Sequence, residues 1–357
     1  MIRPGGNTYE VVLAERFMLG ELVESIVLEE SLDEISLRAA VGLVATPDLP
    51  DLVPGQSVRI SGIPFGGSDM ADLLNPGVLW DWSSRDSGQK HIDLTIYDRT
   101  IYLSKSEDEM LMSKGQTASQ RLSRYAQNWG IPLAGLEESS VPLSRSLYRA
   151  QTIYSMIQAD LKETAAYGGE MYRPRMTPDG LELFRLGSNT TVWSLELERN
   201  VLDVAQRQTL DGAVTQVKVL GSELKARAGQ GESALSEETE TTDNNGEDPT
   251  QAPSLVLAIE KGDIARYGTL QKMVQDSKGS IAEARTQARQ MLSGIQETFT
   301  VSGIDINIIR AGDRIELAGS GLELLVTSVR HELGVPGRMS LELATPDYVR
   351  RKYYGSV

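Results

Sequence analysis

The chain has 357 residues, 50 Asp and Glu against 35 Lys and Arg, a formal net charge of −15 and no cysteine. That length suits two or three domains, and the charge argues against general binding of nucleic acid or an anionic membrane, which needs clustered cations. Without cysteine there is no disulfide, thiolate metal site or cysteine nucleophile.

The opening residues, Met1-Ile2-Arg3-Pro4-Gly5-Gly6-Asn7, lack the apolar core of a signal peptide, and nowhere do about 18 apolar residues run together. Synthesis in a cytoplasm without a signal peptide is expected. From Tyr9 to Asp98 the pattern is that of strands. Alternating runs over 10–14, 22–29 and 35–43 are separated by Gly, Pro and Asp turns, at the spacing of a small barrel or sandwich.

The middle reads as helical and mixed. Thr117 and Gln120 form a capping box for a helix placing Leu122, Tyr125, Ala126 and Trp129 on one face, with Gly130 as its stop. A second helix over 150–167 buries Ile153 or Tyr154, Ile157, Leu161 and Ala165. Then 171–176 and 181–186 read as a hairpin around Pro178-Asp179-Gly180.

Strands resume over 191–198 and 214–220. The stretch 229–253 holds seven acidic residues and no Lys or Arg, so the loop 222–254 is expected to be disordered, a solvated insertion rather than a functional element. A short strand lies over 255–259. Ser280-Ile281-Ala282-Glu283 is a capping box for a helix over 280–294 that buries Ile281, Ala284, Ala288 and Met291 or Leu292. The C-terminal run Tyr348-Val349-Arg350-Arg351-Lys352-Tyr353-Tyr354 interleaves Arg and Tyr, which at an exposed end suits docking to a partner as well as a frayed terminus.

Two segments about 250 residues apart share one signature. Leu52-Val53-Pro54-Gly55-Gln56-Ser57-Val58-Arg59-Ile60-Ser61-Gly62 reads against Ile309-Arg310-Ala311-Gly312-Asp313-Arg314-Ile315-Glu316-Leu317-Ala318-Gly319. Gly55 and Gly312 read as turns, with aliphatic side chains three and five residues later and second turns, Gly62 and Gly319, at plus seven. Such grammar is common at strand starts; the matched order of the downstream strands adds weight. Val78 to Trp82, Gly88 and Ile92 to Ile96 correspond to Leu324 to Val329, Gly337 and Met339 to Leu343. The first copy is longer by a polar loop around Gly66 to Gly77, and upstream Ile26 to Asp33 corresponds more weakly to Leu195 to Asp203.

No catalytic, cofactor-binding or metal-binding set is legible. The two histidines, His91 and His331, sit singly in strands, and no HExxH, phosphate loop, Gly-x-Ser-x-Gly or EF-hand pattern occurs. Glu29-Glu30 and Glu107-Asp108-Glu109 are the adjacent acids expected in so acidic a chain. Three readings are compatible with these residues: an assembly protein built on pseudo-repeated β units, a binding module, and a cell-wall hydrolase whose carboxylates have no short signature. For the second, Thr117 to Trp129 with Ile131-Pro132-Leu133 after it is reminiscent of LysM peptidoglycan-binding domains.

The middle strings are more specific. Leu94-Thr95-Ile96-Tyr97-Asp98-Arg99-Thr100-Ile101-Tyr102-Leu103, Gly115-Gln116-Thr117-Ala118-Ser119-Gln120, Trp129-Gly130-Ile131-Pro132, Tyr148-Arg149-Ala150-Gln151 and Tyr172-Arg173-Pro174-Arg175-Met176-Thr177-Pro178-Asp179-Gly180 resemble the tail hub proteins of PBSX-type prophages and other contractile phage-like particles, over roughly 90–190. The resemblance implies an α+β, mainly β chain: two related tube-like antiparallel β-barrels with smaller mixed α/β domains between them. The expected domains are a first barrel at 1–105, a LysM-like helical domain at 106–147, a helix-hairpin domain at 148–190 and a second barrel at 191–357. It further implies a homotrimer whose six barrels form a pseudo-sixfold ring in a virion or particle baseplate. Its partners would be the tail tube or a tube initiator, the spike and other baseplate proteins, with DNA passing through the lumen but not bound, no membrane, no catalysis and no cofactor. A LysM-like or hydrolytic component of the tail tip is the alternative.

Overall fold

The computed structural model describes residues 8–221, 256–276 and 281–355. The acidic stretch and Ser280 of the expected capping box lie outside the described residues. Two compact units are present, residues 1–207 with 297–357, and residues 208–296.

In chain order the first unit contains β1 (Tyr9–Leu13), β2 (Phe17–Met18), β3 (Val23–Ser31), β4 (Arg38–Val44), β5 (Ser57–Gly62), β6 (Ala71–Asp86) and β7 (Lys90–Asp98). Then come α1 (Ile101–Lys105), β8 (Glu107–Met112), α2 (Ala118–Asn128), β9 (Leu133–Leu136), β10 (Ser146–Thr152), α3 (Ile153–Ala166), β11 (Tyr172–Thr177), β12 (Gly180–Arg185), β13 (Trp193–Leu195) and β14 (Val201–Thr209). The second unit holds β15 (Gln216–Gly221), β16 (Val256–Lys261), α4 (Ile264–Tyr267), β17 (Gln271–Asp276) and α5 (Ile281–Met291). The first resumes with β18 (Gln296–Ile304), β19 (Arg314–Leu317), β20 (Glu323–Leu333), β21 (Arg338–Ala344) and α6 (Pro346–Tyr354). The chain is α+β and mainly β.

One sheet of 13 strands organises the first unit, with the path β14-β18-β21-β20-β3-β4-β7-β6-β5-β1-β2 and β19 beside β20. Its order holds a duplication. In the first copy the chain order β3, β4, β5, β6, β7 becomes the spatial order β3-β4-β7-β6-β5. In the second, β14, β18, β19, β20, β21 becomes β14-β18-β21-β20-β19. The two copies meet where β20 pairs antiparallel with β3, Ser328 opposite Ser31 through Leu333 opposite Ile26.

The repeated glycine turns match bond for bond. Gly55 N–H donates to Leu79 O at 2.7 Å and Leu79 N–H to Gln56 O at 2.9 Å; Gly312 N–H donates to Val326 O at 2.7 Å and Val326 N–H to Asp313 O at 2.9 Å. Even the side chains agree, because Gln56 Oε1 accepts from Val53 N–H and Asp313 Oδ2 from Arg310 N–H, both at 2.9 Å. Gly55, Gly312 and Gly319 have φ of 98°, 90° and 82°, as turns that favour glycine do. Gly62 differs. It is not a turn but the end of β5, paired with Tyr9 and Ala71, and it is glycine because a Cβ there would lie 2.6 Å from the Tyr9 ring. The expected long loop also shortens, since β6 starts at Ala71 and pairs with β5 through two bulges. The upstream correspondence shifts as well, with β14 (Val201–Thr209) rather than Leu195 to Asp203 taking the place of β3.

Three cores lie against this sheet. Ile26, Leu28, Val41, Ile60 and Leu94 belong to the first, which also takes Leu333 from β20. Phe299, Val301, Ile315, Val329 and Leu341 belong to the second. The third packs α2, α3, the β11-β12 hairpin and α6, with Leu122, Tyr125, Ile157, Leu161, Met176 and Tyr354 buried together, so residues from 106–147 and 148–190 share one interior. The Thr117–Gln120 capping box forms on α2, and Thr152 caps α3, which therefore begins at Ile153. The hairpin turns at Pro178-Asp179, Thr177 opposite Gly180.

In the second unit β15 lies between β16 and β17, and α5 packs Ala284 and Ala288 against Val217, Val219 and Ala258. Ile281, expected inside, is 54% exposed because it stands at the very start of the helix, at the end of the Ala284–Ala288 stripe.

The two turns predict unequal costs. Gly55→Ala meets nothing within 4 Å and should cost about 1–2 kcal/mol of backbone strain, whereas Gly312→Ala adds a Cβ 2.7 Å from Leu186 Cδ2 and should cost clearly more by urea denaturation.

Candidate functional site: an ionic junction beneath a polar sheet face

Along β3 the inward positions read Ile26, Leu28 and then Glu30, so a carboxylate stands where the alternation calls for an apolar residue. Glu30 lies between Leu28 of the first core and Leu32 of the third, opposite Val329 of the second. Its side chain is 1% exposed. Such burial is tolerable only with full pairing.

That pairing comes from two other parts of the chain. Arg310, just before the Gly312 turn, donates Nε and Nη2 to the two Glu30 oxygens, both at 2.7 Å. The Ala311 N–H donates to Oε2 at 3.1 Å, and Arg173 Nη2 of β11 lies 3.2 Å from Oε1. Arg173 also donates to Ala311 O, and Arg310 to Met176 O. Beside them Arg175 reaches Asp313 at 3.1 Å and Glu182 at 2.7 Å, its guanidinium 3.7 Å above the Phe184 ring. Three carboxylates and three guanidinium groups thus balance at one point. Burial pushes the Glu30 carboxyl up, but Arg310, Arg173 and Arg175 outweigh it and hold it well below the usual range. Asp98, which accepts from Leu37 N–H and Thr100 N–H, is instead pushed up by burial to about 6.

A second clasp ties the copies. Asn307 accepts from Phe65 N–H and donates to Ile63 O, both at 2.9 Å, while the Phe65 ring meets Trp193 edge-on at 5.6 Å. Within the third core Arg121 pairs with Asp160 at 2.5 Å, and Tyr125 and Tyr148 donate to the same carboxylate. Burial and Asp160 push both phenols up.

The opposite face of the sheet is polar. One cross-strand row runs Ser302, Ser340, Arg330, Glu29, Arg38, Tyr97, and another runs Arg338, Glu332, Val27, Ala40, Thr95. Glu29 bridges Arg330 and Arg38 across the seam between the copies, and Arg330 also reaches Glu332 at 3.4 Å. This face mixes serine and threonine with larger charged side chains, and its carboxylates Glu29 and Glu332 are paired to arginine.

The residues singled out in the sequence fall in different places. Glu29 and Glu30 point to opposite faces and form no carboxylate pair. Glu107, Asp108 and Glu109 are exposed on β8. His91 Nδ1 lies 2.7 Å from Glu24; His331 is buried between Asp305 and the Ile309 carbonyl. Among the described residues no group of His, Asp and Glu is gathered to hold a metal ion, and no helix is long and apolar enough to cross a membrane. The C-terminal run is not an exposed tail but α6, packed on α3. Val349 is buried, Tyr354 donates to Tyr172 O, Arg350 to Ala165 O, and Tyr353 to Asp33. Tyr348 is partly buried in the same core, and Arg351 is half-buried. The Arg and Tyr side chains there serve the chain's own packing.

Residues 77–246 match the model of the YQBQ-like family. No curated protein matches the chain. Among solved structures, the 43 kDa tail protein of prophage MuSo2 from Shewanella oneidensis is similar with a TM-score of 0.67 at 14% identity, covering 96% of this chain and 99% of that one. The tail protein from Neisseria meningitidis MC58 gives 0.65 at 14%, covering 97% and 98%. The E. coli c3393 protein, a type VI secretion component described as structurally similar to the T4 tail proteins gp27 and gp5, gives 0.52 at 10%, covering 94% and 76%. What is shared at these identities is a fold, and it is a fold of tail proteins.

Two substitutions separate the charges of the junction by pH. Glu30, held low, contributes stability that is present above about pH 4.5 and is lost as pH falls further, so Glu30→Gln should cost about 3–5 kcal/mol at neutral pH and flatten the acid limb. Asp98, raised from 3.8 to about 6, contributes stability below pH 3.8 that is lost as pH rises through 6. Asp98→Asn should remove that decline, of about 3 kcal/mol, from denaturation curves taken between pH 4 and 7.

Proposed function

We propose, with the tail-protein fold as premise, that this chain is the structural hub of a phage-type or contractile-particle baseplate, three copies of which join a sixfold tail tube to a threefold spike. The observation that carries the reading is the duplicated strand order with its internal seam. Within one chain the second copy's β20 pairs with the first copy's β3. The equivalent partners in the reverse sense are β6 and β14. β14 ends the sheet path, and β6 pairs with β5 only over Ala71 to Val78, with Trp80 to Asp86 extending beyond it. In a ring of three chains, β6 of one subunit meets β14 of the next. Six seams then alternate, one inside each chain and one between chains, so a threefold object presents six similar units.

Unpaired edges of this length invite strand addition, and ring closure removes them. The polar face with the Arg330–Glu29–Arg38 row forms the inner wall in this arrangement. Its arginines Arg330 and Arg38, paired to Glu29, offer a passing DNA backbone few free cations. The tail tube or a tube initiator docks on one end of the ring and the spike on the other, with residues 106–190 towards the spike. Support for spike and baseplate partners comes from the likeness to c3393, with its stated similarity to gp27 and gp5. The role is structural rather than enzymatic, at a particle baseplate.

Native mass spectrometry of the purified chain should give three times the 39.0 kDa chain mass. Ala205→Pro and Gln206→Pro remove successive N–H groups of β14, one of which points outward; that variant should be monomeric with an unchanged circular dichroism spectrum. A dimer or a true hexamer, or a trimer that survives both substitutions, would sink the reading.

A further inference from the structure

In the second unit, among the described residues, the sheet β16-β15-β17 is covered on one face only. α5 lies on that face, and its Arg285 and Arg289 reach Glu260 at 3.8 and 3.0 Å. Cross-strand register defines the other face as three rows: Lys261, Gln216, Gln271; then Ile259, Lys218, Met273; then Val256, Leu220, Gln275. Val256, Ile259 and Met273 are 42%, 48% and 61% exposed. None of the nine residues is acidic, in a chain of net charge −15. Among the described residues neither Lys218 nor Lys261 has an ion-pair partner.

Single exposed apolar side chains are ordinary; three on the two strands that flank an unpaired lysine are not. A sheet that buries one face against a helix and leaves a partly apolar second face open has room for another layer. That layer has a definite size. Two strand spacings make the face about 10 Å wide, the diameter of one helix. It also has a definite chemistry, because any cover desolvates Lys218 in the central row and must bring a carboxylate to it.

We propose that this face docks an amphipathic helix of a partner protein, whose apolar stripe packs on Val256, Ile259 and Met273 and whose flanking carboxylates pair with Lys218 and Lys261. The inference is independent of the ring, since the second unit contributes no strand to the first unit's sheet.

The test uses the full chain and a labelled 18-residue helical peptide with a leucine stripe flanked by glutamates, read by fluorescence anisotropy. A control peptide carries lysines in place of the glutamates. Saturable binding of the glutamate peptide alone is expected, weakened about tenfold or more by Lys218→Glu and by Met273→Glu at unchanged thermal stability. Absence of binding, equal binding of the lysine peptide, or insensitivity to both substitutions overturns the proposal. So does binding that appears only when residues 222–255 are deleted, which makes the chain's own acidic stretch the occupant. Capture by anionic lipid vesicles without binding of the peptide would point to a membrane instead.

Discussion

The ion cluster around Glu30 is the constraint on which the first unit depends. A buried carboxylate cannot wait for solvent; its charge has to be met by groups the fold delivers. Here they arrive from β11 and from the turn before Gly312, positions 143 and 280 residues away in sequence. Three cores adjoin this one residue. Apolar packing tolerates small slides of one layer on another, but a bidentate Arg310–Glu30 pair fixes both direction and distance. Specificity of arrangement is therefore what the cluster adds to cores that already supply the bulk of the burial.

The surface pairs of the polar face act differently. Glu29 with Arg330 and Arg38 is partly exposed and contributes at most about 1 kcal/mol per pair. Their value lies in register. A one-residue slip between β20 and β3 would bring Arg330 opposite Leu28 or Glu30 rather than Glu29 and turn the slipped strand's apolar set outward. Adjacent residues Glu29 and Glu30 thus hold the same seam from its two faces, one weakly in water and one strongly in the interior.

Local chemistry was legible in the sequence where it was self-contained. The capping box on α2, the Pro178-Asp179 hairpin and the Gly55 and Gly312 turns depend on residues within a few positions of one another. Gly62 misled because glycine serves close approach as well as turning, and only the fold brings Tyr9 beside it. β14 is not legible because a mostly exposed strand with Asp203, Gln206, Arg207 and Gln208 lacks the apolar alternation that marks a half-buried one. α6 differs from its sequence reading for the opposite reason: its Arg and Tyr side chains are amphipathic, and their stems and rings bury well while their polar tips find carbonyls. The Glu30 cluster left one trace, an acid at an inward position between Leu28 and Leu32. Its partners could not be read, because no local pattern links residues 280 positions apart.

The duplication also shows where the chain accommodates novelty. In the first copy β3 and β4 are neighbours joined by six residues, 32–37; in the second, the equivalent neighbours β14 and β18 are separated by residues 210–295, which form a unit with its own core. Both ends of that insertion leave adjacent strands, and the entropy of closing a longer connection grows only logarithmically with its length. The site therefore behaves as a socket: one module can be exchanged for another, or a foreign domain grafted, while the strands on either side keep their pairing. Diversity among such chains has a natural place to accumulate at this connection, leaving the sheet untouched.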